Sequence, residues 1–214
     1  MSQQDVHTKI LNSTARKFFE AKDIKQQGRS RVWIADQKYW LIAIEFQPSD
    51  WSKGSYLNVG CMWLFYPQDH IAFNYGHREK ELIKYQTEKQ FEQAVTDFCL
   101  SAMIKVEEYQ KKFISLDAIC DHLLKIVNQK NTWSFYHAAV ACGLTKRNSK
   151  AKELFNNIIN EKYTFDWEVE IQNKSKLLIS QLVTPEKFKQ TVIDWANHTR
   201  TALKLTPINI EMLK

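Results

Sequence analysis

Glycine and proline are both scarce in this chain, with 5 and 4 copies among 214 residues. So few glycines argue against an enzyme built on a glycine-rich phosphate loop and exclude a collagen-like repeat. Cysteine is sparse too. Cys61, Cys99, Cys120 and Cys142 fall in no Cys-x-x-Cys spacing, which speaks against a zinc site and a disulfide scaffold. Each sits among apolar neighbours and reads as a small core hydrophobe. No stretch approaches the roughly 18 consecutive apolar residues of a membrane span. The first ten residues are polar and lack the apolar run of a signal peptide. The expectation is a cytoplasmic protein with reduced thiols and no membrane partner.

Arginine is also rare, at 6 against 24 lysines, within a net charge of +6. Residues 1–113 hold 16 basic and 14 acidic side chains, and residues 114–214 hold 14 and 10. The excess is spread along the chain, unlike the concentrated face of a dedicated DNA binder. What is plentiful is aromatic: 7 Trp, 12 Phe and 8 Tyr, within 44% hydrophobic residues. That composition excludes disorder and supports a sizeable core.

The hydrophobic period predicts an α+β fold. A helix is expected over about 5–26, with Gly28 as its stop. Residues 30–75 are dense in β-branched and aromatic side chains broken by turn signals. They predict an antiparallel meander with strands at about 30–35, 39–47, 56–66 and 70–75, and an edge strand at 79–86. Thr87 and Gln90 form a capping box that opens a long helix to about Lys112, which should cover the apolar sheet face. Four or five further helices follow, opened by Ser115, Thr132, Ser149, Asp166 and Thr184-Pro185. The pair at 133–159 faintly resembles a tetratricopeptide unit, but one unit is no solenoid, and a generic helical hairpin is the simpler reading. The organisation expected is an α+β sheet region, 1–113, followed by a helical bundle, 114–214, packed on it.

Alternation along the strands predicts register. Pairing Phe46 with Leu57 gathers Trp40, Ile42, Ile44, Val59, Cys61 and Trp63 on one face. Pairing Ile34 with Trp40 and Phe65 with Ile71 extends that face. On the other side these registers put Glu45 opposite Asn58, Gln47 opposite Tyr56, Arg29 opposite Glu45 and Arg31 diagonal to it. Trp33 then lines the apolar end of this second face. The polar end adjoins the loop Pro48 to Gly54, whose Trp51 either folds back or meets a partner. Arg29, Arg31, Glu45, Gln47, Trp51, Lys53, Tyr56 and Asn58 are therefore the candidate residues for binding a protein partner or a small ligand. Cross-strand pairs that merely satisfy one another are the plainer alternative.

The run Gly28-Arg-Ser-Arg-Val-Trp-Ile-Ala-Asp36, with Trp40-Leu41 and Glu45-Phe-Gln-Pro-Ser-Asp-Trp-Ser-Lys-Gly-Ser-Tyr-Leu-Asn-Val-Gly60, resembles an uncharacterised bacterial domain-of-unknown-function family, number 4304. The resemblance spans about residues 10–160 and implies a bacterial source and a shared α+β fold. It carries over no catalytic residue.

Two other functional classes compete with recognition. Lys146, Arg147, Lys150 and Lys152 straddle a helix start without an acid, a pattern suited to phosphate or nucleic acid. A metal-dependent hydrolase or nuclease would centre on Glu45 and Gln47 with Asp36, but these two carboxylates lie about 20 Å or more apart along a strand and cannot share an ion. The six histidines fall in no metal-binding or catalytic motif. His137, in an alanine-rich helix, reads as partly buried and hydrogen-bonded. No catalytic residue, metal or cofactor is assigned.

Overall fold

The computed structural model of the chain describes residues 6–127 and 131–212. These form two compact units. One holds the chain up to Trp63 together with His70–Lys111, and the other holds Leu64–Asp69 and the chain from Lys112 onward.

The first unit opens with α1, Val6–Phe19, and a 3-10 turn, Glu20–Lys22. The expected first residue of this helix, Asp5, lies outside the described residues. The helix ends earlier than the predicted position near residue 26, because Asp23 turns left-handed at φ 55° and its N–H closes back on the Glu20 carbonyl. Lys25–Gln26 are thereby freed to form a short edge strand, β1. Four longer strands follow: β2 (Val32–Asp36), β3 (Trp40–Pro48), β4 (Gly54–Trp63) and β5 (Tyr75–Lys84). They make an open antiparallel meander in chain order.

The β3–β4 register is the one alternation predicts, with Phe46 opposite Leu57, Glu45 opposite Asn58 and Gln47 opposite Tyr56. The β2–β3 register is not. Val32, rather than Arg29, stands opposite Glu45, and Ile34 faces Ala43 rather than Trp40. The cause is a tighter turn. Gln37 N–H donates to the Trp40 carbonyl at 3.0 Å, leaving only Lys38 and Tyr39 in the loop. Lys38 takes φ 72° and its N–H donates to Asp36 Oδ1 at 2.8 Å, a side-chain turn that supplies what a glycine usually would. The shift is an odd number of residues, so β2 is turned over. Trp33 joins the core face, 5.3 Å ring to ring from Phe19, instead of lining the second face.

β5 also departs from expectation. Residues 64–74 form no strand, so the Phe65–Ile71 pairing does not occur. One strand replaces the two predicted. Asn74 closes the irregular stretch, its Oδ1 accepting from Trp63 N–H at 2.8 Å and its N–H donating to the Cys61 carbonyl at 2.9 Å. Gly76 then sits opposite Gly60 at φ 108°, and a Cβ there would come within 2.5 Å of Gly60 Cα. Only glycine permits that approach.

Two helices pack on the apolar face. Phe19 of α1 stacks near Phe46 and Trp33. α2, Glu88–Lys112, buries Phe91, Val95, Phe98, Ala102, Val106 and Tyr109, and the Tyr109 hydroxyl donates to the Val59 carbonyl at 3.4 Å. Thr87 caps it as predicted by accepting from Gln90 N–H, while Gln90 Oε1 accepts from Gln86 N–H, one residue earlier than a standard capping box.

The second unit is helical: α3 (Leu116–Ile126), α4 (Thr132–Leu144), α5 (Asn148–Ile159), α6 (Asp166–Gln181) and α7 (Pro185–Ala202). Ser115 caps α3, but Asn131, not Thr132, caps α4, and α5 starts one residue before Ser149 without a side-chain cap. α4 buries an unbroken run, Tyr136–Cys142, and Leu144, so it is buried on every side over its second half, the pattern of a central helix. Leu64–Asp69 is pinned to this unit. Tyr136 O–H donates to the Phe65 carbonyl at 3.0 Å, and Gln68 N–H donates to Thr199 Oγ1 at 3.0 Å. Among the described residues no helix is long and apolar enough to cross a membrane.

Candidate functional site

The second face of the sheet divides into two ends. At one, Ile34, Leu41, Ala43 and Met62 are buried. At the other, β3 and β4 project Glu45, Gln47, Tyr56 and Asn58, all partly exposed. Because the β3–β4 register is as predicted, these four candidates do come together. Asn58 Nδ2 donates to Glu45 Oε2 at 2.8 Å and to Gln47 Oε1 at 3.0 Å.

A fifth member is Arg78 of β5. Its Nη2 donates to Gln47 Oε1 at 3.2 Å, and its guanidinium lies 3.9 Å from the centre of the Tyr56 ring. Sequence reasoning missed it because residues 76–78 were assigned to a link between strands. Gly76, flanked by Tyr75 and His77, was the available signal that the strand continues. A register shift between Leu57 and Asn58 is what aims Arg78 at the cluster.

Arg29 and Arg31 are placed elsewhere by the turned-over β2. Arg29 is exposed in the tight β1–β2 turn. Arg31 points toward α1, where its Nη2 donates to Thr8 Oγ1 at 2.6 Å and lies 3.3 Å from His7 Nε2. The cation of the cluster is therefore Arg78.

The loop between β3 and β4 stands at the polar end. Trp51 at its tip is 94% exposed and does not fold back. The loop is nonetheless ordered at its base. Trp51 N–H donates to Ser49 Oγ at 3.3 Å, and Tyr85 N–H donates to the Lys53 carbonyl at 2.8 Å. An indole held out in water by an anchored loop exposes a large apolar area at little further entropic cost on binding.

The basic run before and within α5 is partly neutralised. Arg147 is clamped by Asp117 at 2.9 Å and by Asp121. Lys150 pairs with Glu153 at 2.6 Å. Lys146, at φ 62°, and Lys152 are exposed. Among the described residues no three His, Cys, Asp or Glu side chains gather as a metal site would require. Compared with protein-family profiles, curated proteins and solved structures, the chain finds no match.

Proposed function

We propose that this protein is a non-catalytic recognition module that engages a protein partner through Trp51 and the polar end of the sheet. The observation that carries this reading is the 94% exposure of Trp51 on a loop tied down at its base. Tryptophan and arginine dominate binding hot spots because each buries a large surface and fixes orientation. Here Trp51 supplies the apolar anchor. The Arg78–Gln47–Asn58–Glu45 network supplies a polar border already held in one geometry. A side chain projecting outward suits a pocket on another protein better than it suits enclosing a small ligand.

The test is photo-crosslinking in the source cells with benzoylphenylalanine at position 51. The expected result is one discrete adduct, weakened by Arg78→Ala and absent when the photoreactive group stands at exposed Val183. The same adduct pattern from positions 51 and 183 would sink the reading.

A further inference from the structure

A basic groove lies between α1 and the β1–β2 turn, with a volume of about 660 Å³. Its helical wall is Lys9, Asn12, Ser13 and Arg16. These positions are spaced i, i+3, i+4 and i+7, so they form one stripe of α1. The facing wall is Gln26, Gly28 and Arg29.

The two walls are fixed relative to each other. Arg16 Nη2 donates to Gln26 Oε1 at 3.1 Å, and Gln26 Nε2 donates to the Ser30 carbonyl at 2.7 Å. Gly28 takes φ 59°, which makes the tight turn that presents Arg29. A Cβ at Gly28 would meet nothing within 4 Å, so the glycine serves backbone conformation and not packing.

The charge of the groove is unbalanced. Lys9, Arg16 and Arg29 contribute three positive charges, and Glu20, 3.1 Å from Arg16 Nε, supplies one negative. Lys9 and Arg29 make no ion pair and no hydrogen bond among the described residues. Glu20 offsets only Arg16, so Lys9 and Arg29 leave the groove with net positive charge. No aromatic or aliphatic side chain lines the groove, which leaves nothing to stack a nucleobase or hold an acyl chain.

We infer that this groove binds a small polyanion bearing two or more phosphate groups. Three cationic side chains shared between two walls of one groove can meet more phosphate oxygens than a single phosphate offers. Arginine supplies the planar, forked donors that phosphate oxygens accept. The space exceeds what one phosphate needs.

The inference is tested by calorimetric titration of the full chain with inorganic pyrophosphate and tripolyphosphate, with orthophosphate as comparator. Saturable one-to-one binding is expected, tighter for the longer anions, and about tenfold or more weaker in Lys9→Ala/Arg29→Ala. Both side chains are exposed, so the variant should keep the wild-type circular dichroism and melting temperature. Amide shifts on pyrophosphate addition should centre on Gly28 and Arg29. Absence of saturable heat at millimolar pyrophosphate, or unchanged binding in the double variant, overturns the inference. A single-stranded oligonucleotide that binds more tightly than tripolyphosphate, with a steep salt dependence and loss in the same variant, would replace the small-molecule class with a nucleic-acid backbone.

Discussion

Cys120 of α3 and Cys142 of α4 bring their sulfurs to 3.5 Å, and both side chains are fully buried. The two thiols share one hydrogen bond. That bond pulls Cys120 down to about 7, helped by the Thr145 hydroxyl and the Arg147 charge and opposed by burial. The same bond and burial push Cys142 up. Ionisation within the pair is thereby favoured at Cys120, and the thiolate is the attacking form. Diamide should join these two sulfurs and leave two of the chain's four thiols titratable after denaturation. Cys120→Ser should keep all three of its remaining thiols. Because neither sulfur meets solvent, oxidation should accelerate in urea well below the unfolding midpoint, as local opening becomes frequent. Four surviving thiols in urea-treated, diamide-treated protein would contradict the geometry.

Tyr136 carries a second testable contact. Its ring is buried, and its hydroxyl satisfies the Phe65 carbonyl from the centre of the helical unit. Tyr136→Phe keeps the ring and removes the donor to that carbonyl. A loss of about 1–3 kcal/mol is expected, read as a lower urea midpoint with an unchanged slope. An unaltered midpoint would mean the carbonyl finds another donor.

Asn58 separates the polar cluster's structural role from its charge. Asn58→Asp places a second carboxylate against Glu45, where Nδ2 now donates at 2.8 Å. Two adjacent carboxylates cannot both ionise cheaply, so one has its folded pKa raised above its unfolded value. For an acid, that raises the cost of folding wherever the unfolded chain is ionised. The variant should be less stable by about 1–3 kcal/mol at pH 7, with the deficit shrinking as pH falls toward 4. Asn58→Ala loses the same hydrogen bonds without adding charge, so its deficit should not shrink in that way. Parallel pH profiles for the two variants would show that Glu45 and position 58 do not interact.

How much of this was legible in sequence depends on which force set each register. β3 and β4 carry long alternating apolar sets, Trp40 to Phe46 and Leu57 to Trp63, so burial alone fixes their pairing, and Glu45, Gln47, Tyr56 and Asn58 were found together. β2 is short, and its pairing is set by the Lys38–Tyr39 turn. No glycine marks that turn, because Asp36 supplies the hydrogen bond and Lys38 accepts the left-handed conformation. Trp33, Arg29 and Arg31 were misplaced for that one reason. Arg78 was missed because β5 contains a register shift and its apolar pattern is weak. Helix starts were legible to within a residue, since Ser115 caps α3 and Pro185 opens α7, although Thr184 makes no side-chain cap there. The α1 groove was not, because its walls come from two elements joined by a turn the sequence pattern placed elsewhere.

His137 corrects a further expectation and yields the pH prediction. It is not a satisfied side chain. It is buried beside Trp133, Phe65 and Tyr136, and among the described residues neither ring nitrogen has a hydrogen-bond partner. Burial holds it neutral and pushes its pKa down to about 3. The unfolded chain takes up a proton near pH 6.5 that the folded chain refuses. His137 therefore stabilises the fold fully above pH 6.5, and that stabilisation is lost as pH falls from 6.5 toward 3. Between those limits it should contribute a slope of about 1.4 kcal/mol per pH unit. His137→Phe keeps a ring of similar size, removes the titrating group and leaves no polar atom unpaired. Its stability at pH 7 should be equal or greater. Its urea midpoint should fall less between pH 6 and pH 4 than that of the wild type. Equal acid sensitivity in the two proteins would assign the transition to other groups and mean that His137 takes up its proton as readily in the folded chain as in the unfolded one.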